Sequence, residues 1–101
     1  MRRRPLRSAG WYVYTIRQRS NDRFVDAYET EDKDFAVATR PAQGDDTQRW
    51  IVVPSNEGSF TIRQLSNGRF LNAYQAAPKD FGAITRPRSD SSTERWLLDQ
   101  I

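Results

Sequence analysis

The sequence predicts an all-β fold made of two four-stranded units, and three observations support this. Residues 14–52 and 60–98 align without a gap and are identical at 19 of 39 positions. Within each copy, β-branched and aromatic residues alternate with polar ones over short segments, as in half-buried strands, and no window has a convincing helical period. Each copy also carries turn residues at the same offsets, including Asn67-Gly68. Repeats of this size belong to folds in which one unit cannot bury its apolar face alone.

The first two strands of each unit are predicted to form a hairpin. In the first copy the strands are expected at residues 15–19 and 23–28, with Asn21-Asp22 between them. The loop of the second copy is Asn67-Gly68. Asn-Gly between alternating segments favours a type I′ turn, because both residues tolerate a positive φ.

The third and fourth strands complete each unit. Third strands are predicted at 35–40 and 81–86, each ended by a proline (Pro41, Pro87) that cannot donate to a strand ladder. Polar loops then lead to fourth strands at 50–53 and 96–98. A short turn at 54–58 links the units. The chain is therefore expected to contain eight strands, in a basic N-terminal tail (1–10), a first lobe (11–55) and a second lobe (56–101).

Composition excludes several classes of function. The 101 residues, 37% of them hydrophobic, suffice for one domain with a packed core. Because the chain has no cysteine and no histidine, it lacks the commonest metal ligand, the commonest general base and the thiolate nucleophile. We therefore expect no cofactor and no bound metal. No apolar run has the length of a membrane span or a signal peptide, so cytoplasmic location or leaderless release is expected.

The positive charge lies in the N-terminal tail. The formal net charge is +3, with 16 basic and 13 acidic residues. Four of the basic residues are in the tail (Arg2, Arg3, Arg4, Arg7), so the remainder holds 12 basic against 13 acidic residues, a charge of −1. We interpret the tail as a disordered solubilising end, with contact to phosphate or an acidic surface as the alternative. Nucleic-acid binding by the repeats is not expected.

The segment Gln48-Arg49-Trp50 resembles the Gln-x-Trp motif that closes each lobe of the ricin B-type β-trefoil lectins. Residues 20–28 and 66–74 are similar to the turn and second strand of such a lobe. The resemblance implies that the Trp indole fills the core and that the Gln amide bonds the backbone of the preceding loop. In the second copy Glu94 replaces the Gln, and since a carboxylate cannot donate, that loop is expected to be held differently.

The resemblance implies a β-trefoil, which needs three lobes around a pseudo-threefold axis. Two lobes leave strand edges and an apolar face open. Six is the smallest number of lobes that can be made from whole two-lobed chains and also grouped into whole three-lobed folds. A closed homotrimer carrying two trefoils is therefore favoured. A dimer with another closure and a fragment of a longer chain are the alternatives.

The resemblance also implies a sugar site in each copy. Asp26 matches the family's Asp, which accepts hydrogen bonds from two sugar hydroxyls. Asn72 is the weaker match, because an amide lacks the charge that strengthens such bonds. The alternative is that both side chains face water beside a turn. Thr47 and Thr93 replace the family's amide before Gln-x-Trp and can still donate and accept one hydrogen bond.

The family's aromatic residue at the end of the third strand is replaced by Arg40 and Arg86. Bidentate contacts from these guanidinium groups would suit a carboxylate, sulfate or phosphate, and so an acidic sugar. Tyr28 and Tyr74, two residues beyond the Asp/Asn position, are the candidates for stacking on the sugar. Their alternative is a half-buried place in the core.

Charged residues kept in both copies are interpreted structurally. The pairs Lys33-Asp34 and Lys79-Asp80 each precede a phenylalanine and are expected to close a turn. Repeated Arg and Asp residues are interpreted as salt bridges between lobes or subunits. Neighbouring carboxylates such as Asp45-Asp46 lie in polar loops with no evident cleft, whereas a glycosidase needs two carboxyls facing across one. The protein is therefore not expected to be an enzyme.

The favoured function is a multivalent carbohydrate-binding module that binds glycans and assembles with copies of itself. Weak single sites would gain strength when several meet one glycan surface. The alternative is a protein-binding trefoil, because residues 24–29 also resemble a strand of the fascin and hisactophilin-type trefoils, which engage actin. An oligomeric scaffold or inhibitor without a small ligand is the third interpretation.

Overall fold

The computed structural model describes residues 7–8 and 11–99. The predicted basic tail therefore lies almost entirely outside the described residues, as do the last two residues of the second lobe. None of the helical segments described is long and apolar enough to cross a membrane. The strands are β1 (Arg7–Ser8), β2 (Trp11–Tyr14), β3 (Phe24–Ala27), β4 (Val37–Arg40), β5 (Trp50–Pro54), β6 (Phe60–Gln64), β7 (Phe70–Ala73) and β8 (Ala83–Arg86).

The fold is all-β, as predicted, and every strand pair is antiparallel. Six strands form one sheet in the order β1-β2-β5-β6-β7-β8, and β3 pairs with β4. Single 3-10 turns connect the strands at Glu31–Lys33, Asp46–Gln48, Asn56–Gly58, Ala77–Lys79 and Ser92–Glu94.

The strand β5 joins the two lobes. It pairs with β2 of its own lobe, where Tyr14 lies opposite Trp50, and with β6 of the next lobe, where Gln64 lies opposite the same Trp50. The β5–β6 pairing extends over five residue pairs. The last strand of lobe 1 (residues 11–55) thus lies between the first strands of lobe 1 and lobe 2 (residues 56–99).

The third strands begin two residues later than predicted. Phe35 and Phe81 have φ angles of 51° and 50°, which belong to the left-handed region and cannot continue a strand. The strands therefore start at Val37 and Ala83. Both end at the arginine before a proline, as predicted.

The prediction of a type I′ turn is wrong. Such a turn needs a positive φ at both central residues, but only Asp22 (59°) and Gly68 (73°) are left-handed, and Asn21 and Asn67 are not. Instead, the Oδ1 atom of each asparagine accepts a hydrogen bond of 3.0 Å from the backbone N–H two residues on. The asparagine side chain therefore closes the turn, which is why Asp replaces Gly in the first copy at little cost.

Two predicted strands are shorter in the structure than expected. Residues 15–19 contribute one isolated bridge, Arg17 opposite Phe24, whereas their counterparts in lobe 2 belong to the continuous strand β6. Residues 96–98 contribute one bridge, Trp96 opposite Phe60. Both segments lie at the open ends of the two-lobe unit, and neither has a second neighbouring strand among the described residues.

The core lies where the lobes meet. Ala27, Trp50 and Ile62 form its buried centre, with Ile16, Val25, Val37, Val52, Leu71 and Trp96 packed around them. Trp50 is fully buried, and its indole N–H donates to the Val25 carbonyl at 3.0 Å. The Trp96 indole makes the same bond to the Leu71 carbonyl. These contacts confirm the expectation that the Trp of each Gln-x-Trp-like motif fills the core under its lobe.

Candidate functional site

In lobe 1 the predicted sugar-binding Asp26 sits in a buried hydrogen-bond network. Its Oδ1 accepts the backbone N–H of Ala27 at 2.7 Å. Its Oδ2 accepts from the Thr47 hydroxyl and from the Gln48 side-chain amide, both at 3.2 Å. Only 3% of Asp26 is exposed. Asp26 and Thr47, predicted from separate segments to share a site, are therefore in contact.

The Gln48 amide holds the loop before β5, as the resemblance implied. Its Nε2 also donates to the Pro41 carbonyl at 3.0 Å, and its Oε1 accepts from the Gln43 N–H at 3.0 Å. The loop is thereby tied to strand β3. Gln48 was predicted only as a structural residue of the motif, and the structure makes it the direct partner of Asp26.

Lobe 2 contains the same contact with the acid and the amide exchanged. The Asn72 Nδ2 donates to the Glu94 Oε2 at 3.2 Å, where lobe 1 has Gln48 donating to Asp26 at the same distance. Each lobe thus has one carboxylate and one amide at this place. The two departures from the family pattern compensate each other, because either alone would remove the donor or the acceptor of this bond.

Glu94 stands where lobe 1 has Gln48, and it holds its loop by different hydrogen bonds, as expected. Glu94 Oε1 accepts from the Ser89 N–H at 2.9 Å, which matches the Gln43–Gln48 bond of lobe 1. No counterpart of the Gln48–Pro41 bond is formed among the described residues, because a carboxylate cannot donate. Glu94 is 2% exposed, and its carboxylate holds this loop through accepted hydrogen bonds.

Thr47 and Thr93 lie at the edge of these networks. Each belongs to a short 3-10 turn whose N-cap side chain accepts the threonine N–H, Asp45 in lobe 1 and Ser91 in lobe 2. The Thr47 hydroxyl also contacts the Asp45 carboxylate at 2.6 Å. Asp45 is exposed, so lobe 1 presents a solvent-facing carboxylate beside its threonine. Lobe 2 presents the hydroxyls of Ser91 and Thr93 instead.

Tyr74 and Arg86 are occupied by a side chain of the other lobe. The Arg86 Nη2 donates to Asp34 Oδ1 at 2.7 Å and to the Tyr74 hydroxyl at 2.8 Å, and the Tyr74 hydroxyl donates to Asp34 Oδ2. The bond to Tyr74 is the main cause that lowers the pKa of Asp34, and Arg86 adds to it. The same bond raises the pKa of Tyr74. The expected salt bridge between lobes is thus found for Arg86 and Asp34. The other ion pairs described, Arg17–Asp22, Arg49–Asp46 and Arg88–Asp90, each lie within one lobe.

Tyr28 and Arg40 of lobe 1 lie together in the same way but without the third partner. The Arg40 guanidinium lies over the Tyr28 ring, 4.7 Å from its centroid, and Lys33 approaches the same ring at 5.6 Å. The hydrogen bond and positive charge of Arg40 lower the pKa of Tyr28. No acidic side chain of the described residues occupies the place that Asp34 takes at Tyr74.

A cleft of about 470 Å³ lies between the linker and lobe 2. It includes none of the predicted site residues, but Ser91 and Glu94 of the lobe 2 network form part of its wall. Its walls carry the apolar side chains of Val53 and Phe70 and the guanidinium-bearing Arg63, Arg88 and Arg95. Nothing in the repeat pattern indicated it, because part of its wall is the linker between lobes. Among the described residues, no group of three or more acidic side chains is placed to hold a metal ion.

Comparisons with known proteins agree with this architecture. The family model for ricin-type β-trefoil lectin domain-like proteins matches residues 6–99. The chain belongs to this family. Among solved structures, the ricin-type chain is similar to ThreeFoil, a designed threefold-symmetric protein, with a TM-score of 0.78 at 17% sequence identity. The match covers 96% of this chain and 69% of ThreeFoil, about two of its three equivalent parts. No curated protein matches the chain.

Proposed function

We propose that this ricin-type chain is a non-catalytic carbohydrate-binding module with one weak glycan site in each lobe. The match of the lectin-like family model to residues 6–99 carries the proposal. The paired network of Asp26 with Thr47 adds support, because it joins an acid on the second strand to a hydroxyl on the loop where the family has its sugar contacts.

The exposed members of each network are the groups that meet the sugar. Asp26 is 3% exposed, and its carboxylate already accepts from the Ala27 N–H and the Gln48 amide. The one proton of the Thr47 hydroxyl is shared between Asp26 at 3.2 Å and Asp45 at 2.6 Å, so this hydroxyl meets a sugar as an acceptor. Asn72 is half-buried, and Thr93 is the corresponding hydroxyl in lobe 2. Because Asp45 adds an exposed carboxylate that can accept sugar hydroxyl protons with charge-assisted strength, lobe 1 is the stronger of the two sites.

Tyr28, Tyr74, Arg40 and Arg86 contribute less to sugar binding than their positions suggested. Asp34 already fills the space between Tyr74 and Arg86, so a sugar would have to displace an ion pair and two hydrogen bonds there. The acidic sugar considered for these arginines therefore has open access only at Tyr28 and Arg40.

Several sites in one assembly would raise the apparent affinity through effective concentration. A homotrimer that shares its lobes is the favoured assembly and a dimer the alternative. Burial of an apolar surface supports assembly, because one open end of the unit leaves Leu97 and Leu98 61–66% exposed.

A glycan array followed by titration of the best glycan tests the function. We expect binding that weakens at least about tenfold in the Thr47→Ala/Thr93→Ala double variant, which corresponds to one lost hydrogen bond of ordinary strength. Thr30→Ala, an exposed threonine outside both networks, is the matched control and should bind like the wild type. Absence of any bound glycan, or a double variant that binds unchanged, would contradict the proposal. A protein partner retained in excess free sugar would favour the protein-binding alternative.

A further inference from the structure

The contact between lobes 1 and 2 has two halves with defined chemistry. The lobe 2 half, called the clamp, consists of Arg69, Tyr74 and Arg86. The lobe 1 half, called the Lys-Asp-Phe segment, consists of residues 33–35. Asp34 binds Tyr74 and Arg86. The Phe35 ring lies 3.5 Å from the Arg69 guanidinium carbon, and its carbonyl accepts the Thr85 N–H at 3.0 Å.

Each half occurs a second time in the chain, where the described residues give it no partner from the other lobe. A second clamp, Arg23 with Tyr28 and Arg40, lies in lobe 1, and a second Lys-Asp-Phe segment occupies residues 79–81 in lobe 2. The Phe81 ring is 60% exposed, whereas Phe35 is half-buried under Arg69. The described part of the chain thus carries one joined pair and two halves without a partner, one in each lobe.

Both open halves already have the conformation of the joined pair. In the open clamp, Arg23 donates to the Thr39 hydroxyl and carbonyl at 3.2 and 2.7 Å. In the joined clamp, Arg69 donates to Thr85 in the same way at 3.1 and 2.9 Å. Docking would therefore need little rearrangement of the arginine, and the cost of ordering it is low.

The open Lys-Asp-Phe segment is held in the same uncommon backbone conformation as the joined one. Asp80 and Phe81 have φ angles of 53° and 50°, and Asp34 and Phe35 have 55° and 51°. A left-handed phenylalanine is strained, and such strain persists where the surrounding structure holds it. In both segments local backbone hydrogen bonds hold it, from the Phe35 N–H to the Thr30 carbonyl at 3.2 Å and from the Phe81 N–H to the Ala76 carbonyl at 3.3 Å. The Phe81 ring is therefore presented in the same way as the Phe35 ring without a contact from the other lobe.

The remaining contacts across the lobes also have counterparts at the open ends. Gln64 donates to the Thr47 carbonyl and Ser66 to the Glu29 carboxylate. Their equivalents at one open end are Gln18 and Ser20, and at the other end Thr93 and Gln75. Only Glu29 differs from its counterpart, and the Gln75 side chain keeps an acceptor oxygen. The open end of lobe 1 therefore carries the donors, and the open end of lobe 2 the acceptors, of the contacts that join the two lobes.

We propose that the open clamp binds the Lys-Asp-Phe segment of a second copy of this chain. The inference deepens the assembly part of the proposed function and does not depend on sugar binding. A carboxylate of the second copy then takes the place between Tyr28 and Arg40 that Asp34 takes between Tyr74 and Arg86. Among the described residues the Arg40 guanidinium lies over the Tyr28 ring, 4.7 Å from its centroid, without the carboxylate that completes the clamp of lobe 2.

Closure of this contact requires lobes of one chain to separate. Repeating the rotation from lobe 1 to lobe 2 places a third lobe against both open ends, so a second intact pair would overlap the first. The turn between β5 and β6, with left-handed Glu57 and Gly58, would have to open for a chain to give its lobes to different trefoils, and the β5–β6 pairing would then re-form between copies. A symmetric trimer then has every clamp filled by a Lys-Asp-Phe segment from another copy.

The matched pair Asp34→Asn and Asp80→Asn tests the proposal. Asparagine keeps the size and tolerates the left-handed backbone, so both variants fold. In the assembly both aspartates occupy equivalent clamps, and the two variants should lower the midpoint of urea unfolding by the same amount. In a chain whose second clamp stays empty, Asp34→Asn lowers the midpoint and Asp80→Asn leaves it unchanged. That second pattern overturns the proposal.

Solution mass by light scattering gives the second readout. The wild type should reach three chains with rising concentration, and Arg40→Gln should need at least about tenfold more protein to do so, as for loss of a charge-assisted bond. A wild type that stays at one chain, or Arg40→Gln that assembles equally well, overturns the proposal. Binding of glucuronate that depends on Arg40 in a single-chain protein would show that the clamp holds an acidic ligand instead. Glycan binding without assembly would contradict this inference and leave the proposed sugar binding intact. Assembly without glycan binding would support this inference and contradict the proposed sugar binding.

Discussion

The same four residues, Thr-Ile-Arg-Gln, occur at 15–18 and 61–64, and the two segments differ in structure. In lobe 2 they belong to the continuous strand β6 between β5 and β7, Ile62 is 6% exposed and Gln64 is fully buried. In lobe 1 they form one isolated bridge, and Gln18 is exposed. Because the sequences are identical, the difference comes from the neighbouring lobe and not from intrinsic strand propensity.

The opposite end of the unit shows the same effect. Ile51 is 4% exposed because β6 pairs along its strand, whereas its counterpart Leu97 is 66% exposed. The comparison teaches that one lobe of this fold completes the next, and that its strands form only where a neighbour pairs with them. Variants at equivalent positions should therefore have unequal effects in the two lobes.

Asn72→Asp should have the largest effect on stability. It places a carboxylate against the buried Glu94 in the position where Asn72 now donates to that side chain. Two close carboxylates in a buried site repel each other, so we expect a loss of about 3 kcal/mol in the free energy of unfolding. The loss, measured by urea unfolding, should shrink at lower pH as one carboxyl takes up a proton.

Adding Glu94→Gln to that variant should restore stability. The double variant reproduces the Asp26–Gln48 arrangement of lobe 1, with a carboxylate on the strand and an amide on the loop. Recovery of most of the lost free energy is expected in a double-mutant cycle. A double variant as unstable as Asn72→Asp alone would show that the exchange of acid and amide between lobes is not compensatory.

Gln64→Ala should have the next largest effect, a loss of about 2 kcal/mol in the free energy of unfolding. The Gln64 amide is fully buried and donates to the Thr47 carbonyl at 2.9 Å, which would be left without this donor. Gln18→Ala removes the same side chain from an exposed position and should change the stability of a single chain by less than about 0.5 kcal/mol. Equal losses in dilute single chains would contradict the comparison.

Acid unfolding should depend on Asp34. Its pKa is lowered from the ordinary value of 3.8, first by the Tyr74 hydroxyl and then by Arg86. A lowered pKa contributes stability that is present above the ordinary value and lost as the pH falls through the lowered one. Asp34→Asn should therefore weaken the dependence of stability on pH below about 4, as followed by fluorescence of the buried Trp50. An unchanged pH profile would show that the clamp does not favour the ionised carboxylate.

The smallest predicted effect is a difference in pKa between the two clamp tyrosines, Tyr28 and Tyr74. Relative to the ordinary value of 10.0, the hydrogen bond to Arg40 lowers the pKa of Tyr28, and the bond to Asp34 raises the pKa of Tyr74. Ultraviolet titration of Tyr28→Phe and Tyr74→Phe in single chains should show that Tyr28 ionises first. The reverse order would contradict the clamp geometry. In the assembled state an aspartate beside Tyr28 should remove the difference.

The sequence predicted the repeat, the all-β class, the proline-ended strands and the role of Trp50, because these depend on pattern and burial within one lobe. It did not predict the left-handed Phe35 and Phe81, because a left-handed phenylalanine is uncommon and the backbone hydrogen bonds that hold it, to the Thr30 and Ala76 carbonyls, depend on no particular side chain. It predicted contact of Asp26 with the site around Thr47 but treated Asn72 and Glu94 as separate departures. Asn72 and Glu94 compensate each other because they are in contact. The alignment of the two copies shows both exchanges but does not show that the two positions touch.

Hydrogen exchange of backbone amides tests the central claim most directly, namely that the lobes complete one another. The Leu65 and Ser66 amides donate to the Arg49 and Asp46 carbonyls of lobe 1 at 2.8 and 3.2 Å, and their counterparts in lobe 1 are the amides of Arg19 and Ser20. In dilute single chains we predict slow exchange at Leu65 and Ser66 and fast exchange at Arg19 and Ser20, with protection of the latter pair appearing on assembly. Equal protection of both pairs in single chains would contradict the account.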